Sequence, residues 1–409
     1  MSPANILKTS FPYATINVMA QVAAAFPLVV ARERETAAPW YVWCSVLAVT
    51  SSMVGIHWDI SWHRTIGRDT FLTPAHIAIY LCGVLAGISC GYLILATTFS
   101  KAAEYLRESS VKLWGFRGPL GSFIAAWGGI AMLTSAPFDD WWHSAYGLDV
   151  KIISPPHMVL AVGIFAVQLG TVMLVLGRMN RAEGSNRKLL EYLFIFLAGL
   201  SVVNVATIVM EYTFRVNMHS AMYYRAAATA LPFFLFGLAR ACSTRWAATK
   251  VALVYMVFWQ SMNVILSQFS AEPKLGPVFN PVTHFVPSYF PFLLVVPAAA
   301  VDLLLERTER WKTLFKGWLA GFVFVAVLLA VQWPMGNFLL SAWSRNWFFY
   351  THLHDYRTGP GSYNSRHLFF PWERTPAEFW TNLALAFLIA GMMTWMAMHW
   401  GNWLRRVRR

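Results

Sequence analysis

The feature that most constrains this chain is a series of apolar runs, each long enough to cross a bilayer. A transmembrane helix needs about 20 apolar residues. Ten strong runs meet this length, at 40–58, 72–99, 119–136, 153–179, 189–211, 220–240, 246–268, 286–305, 313–335 and 379–403. A weaker eleventh run covers 10–31, and it ends in charged residues without the features of a cleavable signal peptide. The runs predict an all-α, polytopic integral membrane helical bundle with 10–11 transmembrane helices.

The composition excludes several classes of protein. Only 12% of the 409 residues are charged, about half the usual share in a soluble domain. The 20 tryptophans fit a membrane protein, because Trp gathers at the level of the lipid headgroups. A cytosolic enzyme, a disordered protein and a nucleic-acid binder are therefore excluded.

The net charge of +13 is distributed unevenly between the connections. One alternating set of connections holds 21 of the 32 Lys and Arg residues, and the other set holds 10. Because the basic side of a membrane protein faces the cytoplasm, the C-terminal run Arg405–Arg409 is predicted to be cytoplasmic. The positive charge is then a topology signal and gives no reason to expect a nucleic-acid partner. We expect a multi-pass protein of the cell inner membrane.

The spans suggest three regions. Residues 1–38 form an N-terminal interfacial or transmembrane segment, and residues 39–219 form a membrane domain with an internal repeat. Residues 220–409 form a second membrane helical region, which includes a long outer connection over 336–378.

Imidazole and carboxylate side chains concentrate on the predicted outer side. The inner connections contain no histidine. The outer connections contain Asp59, His63, Asp69, Asp139, Asp140, His143, Asp149, His284, His352, His354, Asp355 and His367. Chemistry that uses imidazole is therefore expected at the outer membrane face.

Two outer connections repeat one pattern at an offset of 80 residues. Residues 59–76 and 139–157 both fit D-x2-W-H-x3-G-x-D, followed after a short gap by P-x-H. In D-x3-H the carboxylate and the imidazole are neighbours on one helix face. Because Pro suits the first turn of a helix, the second His is expected at the start of the returning helix. The pattern predicts a duplicated helix–loop–helix unit.

Each copy can bring one carboxylate and two imidazoles to one point. The candidate metal ligands are Asp59, His63 and His76 in the first copy, and Asp139, His143 and His157 in the second. Such sets can hold copper, zinc or non-haem iron. Asp69 and Asp149 are expected to orient a ligating imidazole rather than to bind the metal. Helix anchoring and capping is the alternative, but capping does not require His at two fixed offsets.

Two further groups are candidates on the same side. Glu211 is either an outer partner of the metal site or the salt-bridge partner of Arg215. The connection 336–378 is a candidate cap over the outer face, and its histidines offer a weaker third metal site.

The ligand spacings resemble the two neighbouring copper sites in the C-type membrane subunit of particulate methane and ammonia monooxygenases. The likeness covers about a hundred residues, and the family has Asn at the position of Asp139. The second half resembles the family's A-type subunit more loosely. Its cues are Asn280-Pro-Val-Thr-His284-Phe-Val-Pro, Val301-Asp302-Leu-Leu-Leu, Gln332-Trp-Pro334, Asp355-Tyr-Arg-Thr-Gly-Pro and Trp395-Met-Ala-Met-His399-Trp. The family divides these regions between chains, whereas here they share one.

The resemblance implies a copper-dependent membrane monooxygenase that oxidises a small apolar substrate with dioxygen near the outer membrane face. Copper is the implied cofactor, with zinc or iron as alternatives. Besides membrane lipid, the implied partners are further copies in a homotrimer and a separate periplasmic cupredoxin-like subunit. A non-catalytic membrane protein that binds or transports metal remains the alternative function.

Overall fold

The molecule is a bundle of α-helices, as the apolar runs predict. The computed structural model describes residues 38–67, 69–147, 154–273, 282–354 and 369–408. Strands in these ranges are limited to one hairpin, β1 Val111–Leu113 with β2 Phe116–Gly118. The ten α-helices of the same ranges are α1 Trp40–Thr65, α2 Pro74–Phe99, α3 Leu120–Tyr146, α4 Pro155–Met179, α5 Gly184–Ile208, α6 Ala221–Ala241, α7 Ala247–Leu266, α8 Val295–Arg307, α9 Thr313–Leu340 and α10 Pro376–Leu404.

Each of the ten strong apolar runs corresponds to one of these helices. Seven helices are long and apolar enough to cross a membrane, namely α2, α3, α4, α5, α7, α9 and α10. The chain is therefore a multi-pass membrane protein. Helices α1 and α6 have the necessary length, at 26 and 21 residues, but are less apolar. The eleventh predicted run, 10–31, lies outside the described residues.

The helix ends divide into the two sets that the charge pattern predicts. At the start of α1, the hydroxyl of Tyr41 accepts a hydrogen bond of 2.9 Å from Arg178 at the end of α4. At the other end of α1, the hydroxyl of Ser61 donates to the carbonyl of Val286 at 2.9 Å. Connections assigned to one side therefore lie together. The cytoplasmic location of the basic end stays a prediction.

Glycines allow α2, α3 and α4 to pack closely. A Cβ added at Gly128 of α3 would lie 2.6 Å from the backbone N of Val167 in α4. A Cβ added at Gly129 would lie 2.9 Å from the carbonyl oxygen of Gly83 in α2. Small residues at such contacts let transmembrane helices approach. This packing brings the two repeat loops to neighbouring positions at one end of the bundle.

The predicted span 286–305 is helical only in its second part. Residues 285–293 have no regular secondary structure, and α8 begins at Val295. Pro287 and Pro291 explain the interruption, because proline lacks the N–H that a helix interior needs. Irregular backbone at membrane depth is tolerated where protein buries it. Side chains from three helices, α1, α7 and α9, bond to this segment: Ser61 and Thr65 to Val286, Trp259 to Tyr289, Tyr255 to Phe292, and Gln332 to Leu293.

Candidate metal centres

In each copy of the repeat, a carboxylate and an imidazole occupy the last two turns of a helix. Asp59 and His63 lie near the end of α1, and Asp139 and His143 lie near the end of α3. Residues four apart share one helix face. The Nε2 atoms of these two histidines therefore face the carboxylate of their own helix, at 3.8 and 3.4 Å.

The second imidazole of each copy lies at the third position of the returning helix. Helix α2 begins at Pro74 and α4 at Pro155, in the first-turn position that suits proline. His76 and His157 follow two residues later in each case. The hydroxyl of Ser154 caps α4 by accepting a hydrogen bond from the backbone N–H of His157, at 3.4 Å. Both copies thus present their second imidazole from the start of a helix, as predicted.

Four side chains form the first cluster: Asp59, His63, Asp69 and His76. The Nε2 atom of His76 lies 3.2 Å from Oδ1 of Asp59 and 2.9 Å from Oδ2 of Asp69. The Nε2 atom of His63 lies 3.3 Å from the same oxygen of Asp69. One ligand atom from each of the four residues lies within 4.8 Å of the others.

Three side chains form the second cluster: Asp139, His143 and His157. The Nε2 atom of His143 lies 3.4 Å from Oδ2 of Asp139, and that of His157 lies 3.3 Å from Oδ1. The three candidate ligands predicted for this copy therefore meet. Asp149, the expected orienting residue, lies outside the described residues.

These separations fit ligands of a single ion. With metal–nitrogen and metal–oxygen bonds of about 2.0–2.1 Å, two ligand atoms lie roughly 2.9 Å apart at a right angle and roughly 3.4 Å apart at a tetrahedral angle. All the separations given above except the 3.8 Å between His63 and Asp59 fall in this range. The Oδ1 atoms of Asp59 and Asp139 are also buried, and the imidazole Nε2 that lies 3.2 or 3.3 Å from each of them does not form a well-aligned hydrogen bond. A cation would satisfy both oxygens, so the residues fit a metal.

Glycine carbonyls orient the first imidazole of each copy. The Nδ1 atom of His143 lies 3.3 Å from the carbonyl oxygen of Gly147, and the ring of His63 bonds in the same way to the backbone of Gly67. Both glycines have positive φ angles, 89° at Gly67 and 94° at Gly147, which glycine adopts without strain. Holding the far ring nitrogen directs Nε2 towards the metal position. The sequence signal for this role is the glycine that follows the first His of each copy by four residues. The repeat pattern includes this glycine, but no role was predicted for it.

Asp69 lies among the ligand atoms of the first cluster rather than behind them. The sequence predicted that this carboxylate would only orient an imidazole, yet its Oδ2 atom contacts both Nε2 atoms. Burial raises the pKa of Asp69, but hydrogen bonds from His63 and His76 outweigh burial and hold that pKa well below its usual range. The carboxylate is therefore ionised at neutral pH and available to a cation.

The two clusters border one cavity of about 60 Å³. Its walls come from both copies of the repeat: Asp69, Thr70, Phe71, His76, Tyr80, Ala136, Asp139, Asp140 and His143. The prediction that the repeat loops lie side by side is confirmed. A ligand in this cavity would be in reach of both clusters.

Other candidate residues are placed elsewhere. Glu211 is exposed in the turn Met210–Tyr212 and belongs to neither cluster. In the outer connection, the Nε2 atom of His354 lies 3.3 Å from the carbonyl oxygen of Pro287. Asp355 and His367 lie outside the described residues. Within the described ranges, the candidate metal-binding groups are the two of the repeats.

The arrangement offers imidazole nitrogens and carboxylate oxygens, a donor set for copper, zinc or iron. Comparison with known proteins adds no relative: no family model, no curated protein and no solved structure matches this chain. The chemical interpretation therefore rests on the geometry of the clusters and their shared cavity.

Proposed function

We propose that this protein is a copper-dependent membrane oxidoreductase, similar to the membrane monooxygenases, that oxidises a small apolar substrate with dioxygen near the outer membrane face. One observation carries the proposal: two clusters with the spacing of metal ligands border a single small cavity. Helix anchoring would not require the two clusters to meet. The resemblance of the ligand spacing to known copper sites supports copper as the metal.

The carboxylates and imidazoles of each cluster would contribute differently to binding the ion. In the first cluster, Asp59 and Asp69 supply two negative charges, which balance a divalent cation, and the imidazoles of His63 and His76 complete the set. The second cluster offers a single carboxylate, Asp139, and two imidazoles. When bound, copper supplies the electron transfer to dioxygen that amino-acid side chains cannot perform.

The walls of the cavity would select and shield the substrate. Phe71 and Ala136 contribute apolar surface beside the carboxylates. On the surface of α2, Ile77 and Leu81 are exposed at 50% and 45%, so apolar side chains face the bilayer next to the cavity. A substrate dissolved in the hydrocarbon can approach from that side, while the volume of about 60 Å³ restricts the cavity to small molecules.

The proposal includes a cellular setting. The chain would lie in the inner membrane with Arg405–Arg409 in the cytoplasm, which places both clusters on the periplasmic side. A separate cupredoxin-like subunit on that side and assembly as a homotrimer are carried over from the family resemblance.

The test is metal analysis of the purified protein combined with an assay of oxygen chemistry. We expect up to two copper ions per chain and, with an added two-electron reductant, uptake of dioxygen that depends on a short-chain hydrocarbon. One labelled oxygen atom should enter the alcohol product and the other should leave as water. A variant in which His63, His76, His143 and His157 are all replaced by Ala should lose both properties. Protein that holds only zinc and consumes no dioxygen would contradict the proposal and favour a metal-binding or transport function.

A further inference from the structure

A tyrosine lies between the two clusters and has no role in holding either ion. Tyr80 is one helical turn after His76 in α2 and borders the shared cavity. The centre of its ring is 6.0 Å from that of His76 and 5.4 Å from that of Phe71. Its hydroxyl is within electrostatic reach of carboxylates from both clusters, Asp139 among them.

The hydroxyl of Tyr80 is an unused donor on the cavity wall. It makes no hydrogen bond to any other described residue, although a phenol can donate one and accept others. The neighbouring hydroxyl of Thr70 is 3.4 Å from that of Thr73. The carboxylates of Asp69 and Asp139 can only accept when ionised. Tyr80 is therefore the neutral donor that this wall offers to an incoming ligand.

The size of the cavity indicates the class of ligand. A cavity needs roughly 10–15 Å³ of accessible volume to hold one water, so a cavity of about 60 Å³ takes several waters or one linear anion of three atoms. Such ligands bind metals through oxygen or nitrogen lone pairs. They gain stability from a hydrogen-bond donor on the side that faces away from the metal.

We propose that Tyr80 is a positioning residue whose O–H donates a hydrogen bond to a small oxygen- or nitrogen-donor ligand held between the two clusters. This proposal rests on the proposed function, since it requires metal in at least one cluster. An aromatic residue at headgroup level also serves as a membrane anchor. Anchoring uses the ring and the interface, and it does not require the tyrosine to line a cavity bordered by two clusters.

The experiment compares Tyr80→Phe with Tyr212→Phe in the full-length protein loaded with cupric ion. Tyr212 is the matched control, because it is an exposed tyrosine on the same side that packs against Trp372 and does not line the cavity. The probe is azide, followed by its charge-transfer absorbance with copper. We expect Tyr80→Phe to keep the copper content of the wild type and to bind azide about five- to tenfold more weakly, the effect of losing one hydrogen bond. The control should match the wild type.

Three outcomes would overturn the assignment, and they differ in what else they overturn. Equal azide affinity in Tyr80→Phe and the wild type would reject the role of the hydroxyl and leave the proposed function standing. Loss of copper from Tyr80→Phe would show that the residue supports the cluster itself. Wild-type protein that binds no cupric ion would reject both the role of Tyr80 and the proposed function.

Discussion

The histidines in the two halves of the chain have different partners. The four histidines of the repeats turn their Nε2 atoms towards carboxylates, at 2.9–3.8 Å. In the second half, Nε2 of His219 lies 3.0 Å from the carbonyl oxygen of Trp333, and its ring stacks between Trp333 and Phe369. His354 is half-buried and contacts the carbonyl oxygen of Pro287. The first group is arranged for a cation, whereas His219 and His354 contact backbone carbonyls.

The repeat brings an aspartate to its histidines in two ways. His63 and His143 each follow an aspartate by four residues, whereas His219 follows Arg215 and His354 follows Tyr350 at that spacing. His76 and His157 have no aspartate at that spacing and contact the aspartate of the preceding helix instead. The concentration of histidines on the outer side is thus a weaker signal of metal binding than the Asp-x3-His pair.

The strongest test of this difference between the two groups of histidines is to remove imidazoles from each half and measure the bound metal. The double variant His63→Ala and His76→Ala should lose one bound metal ion per chain, because two carboxylates alone hold a transition-metal ion poorly. The ligands of the second cluster lie on α3 and α4, so that ion should remain. Metal analysis after dialysis measures the stoichiometry.

His219→Ala is the matched control for this double variant, and it should retain the full metal content of the wild type. A double variant with unchanged metal content would identify His63 and His76 as helix-end anchors. Loss of metal from His219→Ala would mean that the second half contributes ligands after all.

Asp69 provides a smaller and more discriminating test. Its Oδ2 atom contacts both imidazoles of the first cluster, so Asp69→Asn should weaken metal binding there by more than the roughly 10–100-fold expected for an outer orienting residue. Asp140→Asn is the control, because Asp140 borders the cavity but belongs to neither cluster. A competition titration against a chelator measures both affinities. A loss within 10–100-fold for Asp69→Asn would return that residue to the orienting role.

The sequence predicted the helices well because apolar length determines them. Seven of the ten strong runs became helices within about five residues of their predicted bounds, and two more, 40–58 and 119–136, became helices that continue 7 and 10 residues past the predicted end. The exception, 286–305, was predicted from hydrophobicity alone. Residues 285–293 bury apolar side chains without a helix because Pro287 and Pro291 interrupt it and because polar groups on other helices bond to the backbone. Those partners are distant in sequence, as with Ser61 and Val286, so no local pattern reveals them.

The sequence predicted the ligands that follow from two local features. These are the shared helix face of each Asp-x3-His pair and the proline that begins each returning helix. The six predicted ligands converge in two groups. Asp69 was misplaced because it lies in the loop, whose path the spacing does not determine. The orienting role of Gly67 and Gly147 requires knowledge of their positive φ angles. Glu211 was proposed as a partner of the metal site only because the predicted topology put it on the same side of the membrane. Its side chain is exposed.

The smallest expected effect concerns His354, which contacts a backbone carbonyl and belongs to neither metal cluster. Burial lowers the pKa of His354 well below its usual value, and the positive charges of Arg215 and Arg64 lower it further. Its Nδ1 atom is buried without a partner among the described residues, so protonation would create an N–H without an acceptor. The folded state therefore favours neutral His354, while the unfolded state takes up a proton below a pH of about 6.5. The stability that His354 contributes is present above that pH and falls as the pH drops, by at most about 1.4 kcal/mol per unit.

Metal-free wild-type protein should therefore lose more stability between pH 7 and pH 5 than His354→Gln, whose amide can still donate to Pro287 but does not titrate. Thermal unfolding of both proteins in detergent across this range gives the difference between their slopes. Parallel slopes would show that His354 has the same pKa in the folded and unfolded states, and the contrast between the histidines of the two halves would then have to be drawn from their partners alone.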